Sequence, residues 1–186
     1  FEMAGLGKSS ALLSSVGIGM MNLIFNVLGL YLIDRIGRRK LMFVGTLGVI
    51  TTLFLVAWFF YGDIIPGQYV PYLLFVYIGA FSMSQGTVIW VFISEIFPNK
   101  VRAAGQALGS FTHWILAALV SFSFPYITAT LGAGNTFLFF AIMMVLQLVF
   151  VLKIMPETKG TSLEEVGRKR IGSKPELYPH EQARKV

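Results

Sequence analysis

The chain has 186 residues, of which 55% are hydrophobic and only 13% charged, where soluble domains carry about 25% charged residues. With a mean hydropathy of +0.72, that balance excludes a soluble enzyme. The formal net charge of +6 sits in cation clusters between apolar runs, which marks membrane topology and contact with anionic lipid rather than nucleic-acid binding.

Four stretches contain no Asp, Glu, Lys or Arg: 9–33, 41–62, 64–94 and 103–152. Each is long enough to cross a hydrocarbon core, which takes about 20 apolar residues. The last stretch, at 50 residues, is about twice the length a bilayer accommodates as one helix, so it must turn back. Leu131-Gly132-Ala133-Gly134-Asn135 supplies the turn, because glycine and asparagine tolerate backbone angles that a helix does not. The expected spans are 11–33, 41–62, 70–94, 105–131 and 136–154. Residues 1–10 are expected to form the end of a preceding transmembrane helix and an extracytoplasmic loop, the chain being a piece of a larger protein.

Transmembrane strands would alternate lipid-facing and lumen-facing residues, whereas Leu47 to Phe60 and Phe137 to Leu152 are apolar on every face. Helices satisfy their own backbone hydrogen bonds in lipid. The expected fold class is therefore an all-α integral membrane protein with five transmembrane helices.

All but one of the 15 basic residues lie between spans one and two, between spans three and four, or after span five. The positive-inside rule places those loops and the C-terminus in the cytoplasm. Cysteine is absent, which excludes disulfides and thiolate metal sites. No span offers a carboxylate pair, a metal cluster or a nucleophile with its base, so no enzyme, metal or organic cofactor is expected.

Polar residues at mid-depth carry the functional signal, since an anchor helix needs none. In span one, Ser15, Gly19, Asn22, Asn26 and Gly29 fall on one helical face. That face reads either as a helix–helix seam or as a solute-facing surface. Span three has Gly79, Ser82, Gly86 and Trp90 in the same spacing, with Gln85 adjacent, and span four has Thr112, His113 and Trp114. Trp90 also fits an interfacial aromatic, five residues from Glu95. Amides, an imidazole and indoles at comparable depth suit an uncharged polyhydroxylated ligand, because amides both donate to and accept from hydroxyls. Gly105 and Gly109 form a small-xxx-small packing motif, and Pro125 is expected to kink its helix.

The loops add three charge motifs: Asp34-Arg35-Ile36-Gly37-Arg38-Arg39, then Ser94-Glu95-Ile96-Phe97-Pro98 with Arg102, then Pro156-Glu157-Thr158-Lys159-Gly160. In this order around five helices, the set resembles the sugar porters of the major facilitator superfamily. The resemblance covers about residues 1–167 and corresponds to the end of the seventh helix and helices eight to twelve of such a porter. It implies transport of a monosaccharide by alternating access, with H⁺ as the coupling ion; a facilitative uniporter or a non-transporting sugar sensor on the same fold are the alternatives.

The resemblance also implies roles for individual residues. Asn22 matches the helix-eight amide, Gly86 and Trp90 the helix-ten pair, and Trp114 the helix-eleven indole of the sugar site, with Gln85 and His113 beside them. Asp34, Arg35, Gly37, Arg38, Arg39, Glu95, Arg102 and Glu157 match the cytoplasmic charge network that latches the outward-facing state. The sequence departs from the family at His113, where Asn or Gln is common, and at Thr87, where Pro usually follows the glycine. Ser82 stands where animal glucose facilitators carry Glu, which leans towards bacterial symporters. The carboxylate that takes the proton in relatives lies in the first helix, outside this chain. Ser162 to Glu165 has capping-box spacing, so a cytoplasmic helix is expected over 156–171 and a disordered tail over 172–186.

Overall fold

The computed structural model describes residues 8–62, 69–99 and 101–160. The helices are α1 (Lys8–Ile36), α2 (Arg38–Gly62), α3 (Val70–Phe81), α4 (Thr87–Ile96), α5 (Arg102–Leu131) and α6 (Ala133–Lys153), with a π-helical turn, Ser82–Gly86, joining α3 to α4. Counting α3 through α4 as one span, five helices among the described residues are long and apolar enough to cross a membrane.

Two of the reversals between helices are made by single glycines. Between α1 and α2, Gly37 has φ +98°, and between α5 and α6, Gly132 has φ +79°. These are backbone conformations that cost a side-chain-bearing residue about 1–2 kcal/mol. The Asp34–Arg39 motif is therefore helical except at Gly37, and the five-residue turn expected at Leu131 contracts to Gly132. After Gly132, Thr136 returns its hydroxyl to Gly132 O at 2.8 Å, which starts α6 three residues before the expected 136. Pro71 sits in the first turn of α3, where its missing N–H leaves no bond unmade.

The buried core is built by α2, α3, α4 and α6 with the basic end of α1. At that end Ile33, Leu41, Met42, Val88, Val151 and Met155 pack together; further along, Val49, Leu53 and Ala141 pack with Tyr77, Phe81, Phe137 and Phe140 around them. Helix α5 buries no residue completely. It is held at one end by Gly105 against the Phe97 ring and Gly109 against Ile93, and at the other by Phe124 against Phe137 and Phe140. The glycine motif is thus a packing contact with α4. Pro125 lies inside α5, and Thr128 turns its hydroxyl onto Phe124 O and Pro125 O at 2.9 Å.

The surface is inverted relative to a water-soluble bundle. Thr46, Ser82, Ser84, Gln85, Thr87 and Thr136 are buried while Leu12, Leu13, Phe111, Leu119 and Phe122 are exposed, Phe122 to 91%. Such a surface is stable only against hydrocarbon or another apolar face.

After α6 the chain is irregular from Met155 to Thr158 and turns at Lys159 and Gly160. The helix expected from 156 therefore does not begin there, because Glu157, Thr158 and Lys159 are bound to other helix ends. The rest of that helix, the Ser162–Glu165 cap, the tail over 172–186, the loop at 63–68, Lys100 and residues 1–7 lie outside the described residues.

Candidate functional site

Two constellations emerge, one at mid-depth and one at the basic end. At mid-depth, Trp90 of α4 meets His113 and Trp114 of α5. The Trp90 and His113 ring centroids are 5.0 Å apart with planes at 71°, and His113 and Trp114 are 5.4 Å apart at 82°. The imidazole therefore makes a T-shaped contact with each indole, and the indole centroids are 6.3 Å apart. Both indoles remain exposed, so the trio forms an aromatic wall with ring faces still available.

One turn before Trp90, Gly86 ends the π-turn. A Cβ there would stand 3.2 Å from Asn26 Oδ1. Asn26 Nδ2 donates to Asn22 Oδ1, and the Thr87 hydroxyl reaches Asn26 Oδ1 at 3.2 Å. The polar face of α1 thus divides along its length. Around Gly29 it is a seam, since a Cβ at Gly29 would meet Met83 O and Thr87 Oγ1 at 2.7 Å. At Gly19, where nothing lies within 4 Å of a built Cβ, it is open, and Asn22 lies at the boundary.

Gln85 is not part of this wall. It is 5% exposed and its amide donates to Met144 Sδ of α6 at 3.8 Å. Adjacency to Gly86 in sequence is about a 100° rotation on a helix, and here that rotation points into the bundle. Ser84 lies against α2 at Gly45, where a Cβ would collide with its side chain, and Gln147 of α6 donates to Thr46 Oγ1 of α2 at 3.3 Å. The π-turn, the Asn26–Thr87 pair and Gln147 are absent from the sequence-based site.

At the basic end, the buried Arg38 donates from Nε to Glu95 Oε2 at 3.0 Å and from Nη2 to Glu95 Oε1 at 2.6 Å, a bidentate charge-assisted pair. Its Nη1 reaches Ile33 O at 3.3 Å and Asp34 Oδ1 at 3.0 Å. Asp34 is 76% exposed, so it adds little. Glu95 Oε2 also accepts the Thr158 hydroxyl at 2.6 Å.

Glu157 behaves differently from the side-chain ion pair expected of it. Its Oε1 accepts from Arg38 N and Lys159 N, both at 3.0 Å, and its Oε2 from Arg39 N at 3.1 Å. This is a carboxylate on the free N–H groups at the start of α2, where the helix dipole favours an anion. The Arg39 guanidinium goes the other way, to Val151 O at 3.1 Å and to Leu152 O at the end of α6. Lys159 Nζ caps α1 at Arg35 O, 2.6 Å away. Two expected members stand apart: Arg35 lies over the Tyr31 ring at 4.2 Å, and Arg102 donates to Asn99 while its Nε is buried without a partner.

Residues 1–169 match the family model described as "Sugar (and other) transporter". The chain belongs to the sugar porter family of the major facilitator superfamily. Among its relatives, it is 35% identical over 181 residues to a glucose transporter, GlcP, of Staphylococcus epidermidis, covering 95% of this chain and 41% of that one. It is 35% identical over 172 residues to the D-xylose-proton symporter of Escherichia coli, covering 89% and 35%. A solved structure of the proton:xylose symporter XylE bound to 6-bromo-6-deoxy-D-glucose superposes with a TM-score of 0.80 at 34% identity, over 91% of this chain and 37% of that one. The inward-open form of XylE superposes with a TM-score of 0.79. This porter chain thus spans about two fifths of the length of the curated relatives it matches. Sugar porters are multi-pass membrane transporters, and the five apolar helices here accord with that.

Proposed function

We propose that the chain is most of the C-terminal half of a monosaccharide transporter, helices eight to twelve, working by alternating access with H⁺ symport. The observation that carries this reading is the aromatic wall of Trp90, His113 and Trp114, one helical turn from the Gly86–Asn26–Asn22 group. Indole faces cover the C–H faces of a sugar ring while amides bond its hydroxyls. No Asp, Glu, Lys or Arg stands in mid-span, consistent with an uncharged solute.

The missing helices belong against the exposed faces of α1 and α5, where Val16, Met20, Leu23, Leu108, Phe111 and Leu119 lie bare. In this arrangement the basic end is cytoplasmic, in a cell membrane, and Arg38–Glu95 with the Glu157 cap holds that end shut while the sugar site faces outward. Sugar binding shifts the population between the two states. The proton-binding carboxylate lies in the other half, and H⁺ coupling rests on the relatives named as proton symporters.

The test is uptake by liposomes containing the full-length parent, across a panel of monosaccharides, with and without an inward pH gradient. Gradient-driven accumulation of one sugar is the expected result. Equilibration without gradient dependence eliminates symport in favour of uniport, and failure to exchange any sugar eliminates transport.

A further inference from the structure

The amide assigned to the sugar is not independent of the helix interruption beside it. Asn22 Oδ1 accepts from Asn26 Nδ2, which fixes the amide's orientation and so the direction in which its N–H₂ is offered to a ligand. Asn26 Oδ1 is held by the Thr87 hydroxyl at 3.2 Å, and the same hydroxyl lies 2.9 Å from Ser82 O. Ser82 and Thr87 stand at the two ends of the π-turn, a distortion frequent at functional sites. Thr87 Oγ1 carries a single proton, so any change in the turn that moves Ser82 O alters how firmly that proton serves Asn26.

Space for this chain of contacts exists because two side chains are absent. A Cβ at Gly29 would press on Thr87 Oγ1 at 2.7 Å, and one at Gly86 would stand 3.2 Å from Asn26 Oδ1. Without Asn26, the Asn22 carbonyl loses its donor and the amide is free to rotate. Without the Thr87 hydroxyl, Asn26 loses the group that fixes which of its own ends faces Asn22. The two residues therefore act in series on one amide.

We propose that Asn26 and Thr87 are positioning residues that couple the orientation of the Asn22 amide to the π-turn of the third span. The inference rests on the sugar-binding reading above and deepens it, since it makes ligand selectivity depend on a helix distortion rather than on contact residues alone. Neither residue needs to touch the sugar.

The experiment measures equilibrium binding of D-xylose and D-glucose to the purified full-length parent by titration calorimetry, with thermal melting recorded on the same samples. Thr87→Val keeps the side chain's shape and removes its hydroxyl; Asn26→Leu keeps the volume and removes the amide. Each single change is expected to weaken binding roughly three- to tenfold, the range of one neutral hydrogen bond. The double variant is expected to be no weaker than the worse single one, and Thr87→Ser to restore binding. Effects of the two changes that multiply, or unchanged binding in both, overturn the proposal. If Asn26→Leu does not fold, Thr87→Val against Thr87→Ser decides by itself, equal affinities overturning the proposal. A well-folded parent that binds no monosaccharide of the panel overturns the sugar reading and this inference with it, whereas a parent that binds while both variants match it overturns only the coupling.

Discussion

Glu157 holds Arg39 by its backbone, while the Arg39 side chain holds the far end of another helix. The carboxylate accepts Arg39 N at 3.1 Å, and Arg39 Nε donates to Val151 O, also at 3.1 Å. The segment after α6 thus caps the start of α2, and the start of α2 caps the end of α6. Each bond satisfies a group that a helix terminus leaves open, so two antiparallel helices close one another at the basic end.

Glu157→Gln tests whether the anion or merely the acceptor matters. Glutamine keeps one carbonyl oxygen for the N–H groups of Arg38 and Arg39 but loses the charge at the α2 N-terminus. The expected cost is about 0.5–2 kcal/mol. Glu157→Ala, which also removes the acceptor and leaves three N–H donors open, is expected to cost more. Chemical or thermal unfolding of the full-length parent in detergent ranks the three proteins, and a Gln variant as stable as the unmodified protein would contradict the dipole account.

Gly37→Ala is expected to fail for two independent reasons. The residue sits at φ +98°, and the new methyl would stand 2.7 Å from Glu157 Oε2. The backbone term alone is about 1–2 kcal/mol, and displacing Glu157 uncaps α2 as well. Placed on the Glu157→Ala background, Gly37→Ala is expected to cost less than it does in the unmodified protein. A full, additive cost there would show that the carboxylate contact is unimportant.

What could be read from the sequence follows from which groups a sequence displays. Four charge-free stretches, the last divided by its glycine turn, locate the five spans because lipid excludes charge, and the resemblance of the loop motifs placed Arg38 and Glu95 in one charge network. The role of Glu157 was hidden because its partners are backbone N–H groups, which no residue letter records. Arg39 was expected within the charge network, yet its side-chain acceptors are the backbone carbonyls of Val151 and Leu152. The π-turn was hidden because Ser82-Met83-Ser84-Gln85-Gly86 has the composition of any small-residue helix segment. Gln85 was placed with Gly86 by adjacency, and helical rotation carried it to Met144 instead.

Thr158 predicts a selective effect on the latch. Its hydroxyl donates to the same Glu95 Oε2 that accepts Arg38 Nε, so it restrains the carboxylate in the bidentate geometry. Thr158→Val and Arg38→Lys both leave the charges nearly in place while loosening that geometry. In the full-length parent each is expected to shift the conformational equilibrium away from the state closed at this end, by a factor of roughly 3–10, with a smaller change in sugar affinity. Distance measurements by double electron–electron resonance across that end check the shift. Sugar affinity falling while the distances stay fixed would assign these residues to the binding site rather than to the latch.

The aromatic wall makes the last prediction. His113 makes T-shaped contacts with Trp90 and Trp114 at centroid distances of 5.0 and 5.4 Å, so it bears on the spacing of the two indoles as well as offering a polar atom. Aromatic pairs of this kind contribute about 0.5–1.5 kcal/mol each. His113→Gln retains a donor and an acceptor but loses both ring contacts; His113→Phe retains the ring contacts and loses the polar atoms. If hydrogen bonding to sugar dominates, Gln is the milder change; if indole spacing dominates, Phe is. A stacking role for Trp90 and Trp114 requires that Trp90→Leu weaken binding more than either His113 variant, by about tenfold or more, because it removes a ring face as well as its support for His113. Titration of the full-length parent and the three variants with D-xylose and D-glucose gives the order directly, and a Trp90→Leu protein that binds as tightly as the parent would remove the wall from the site.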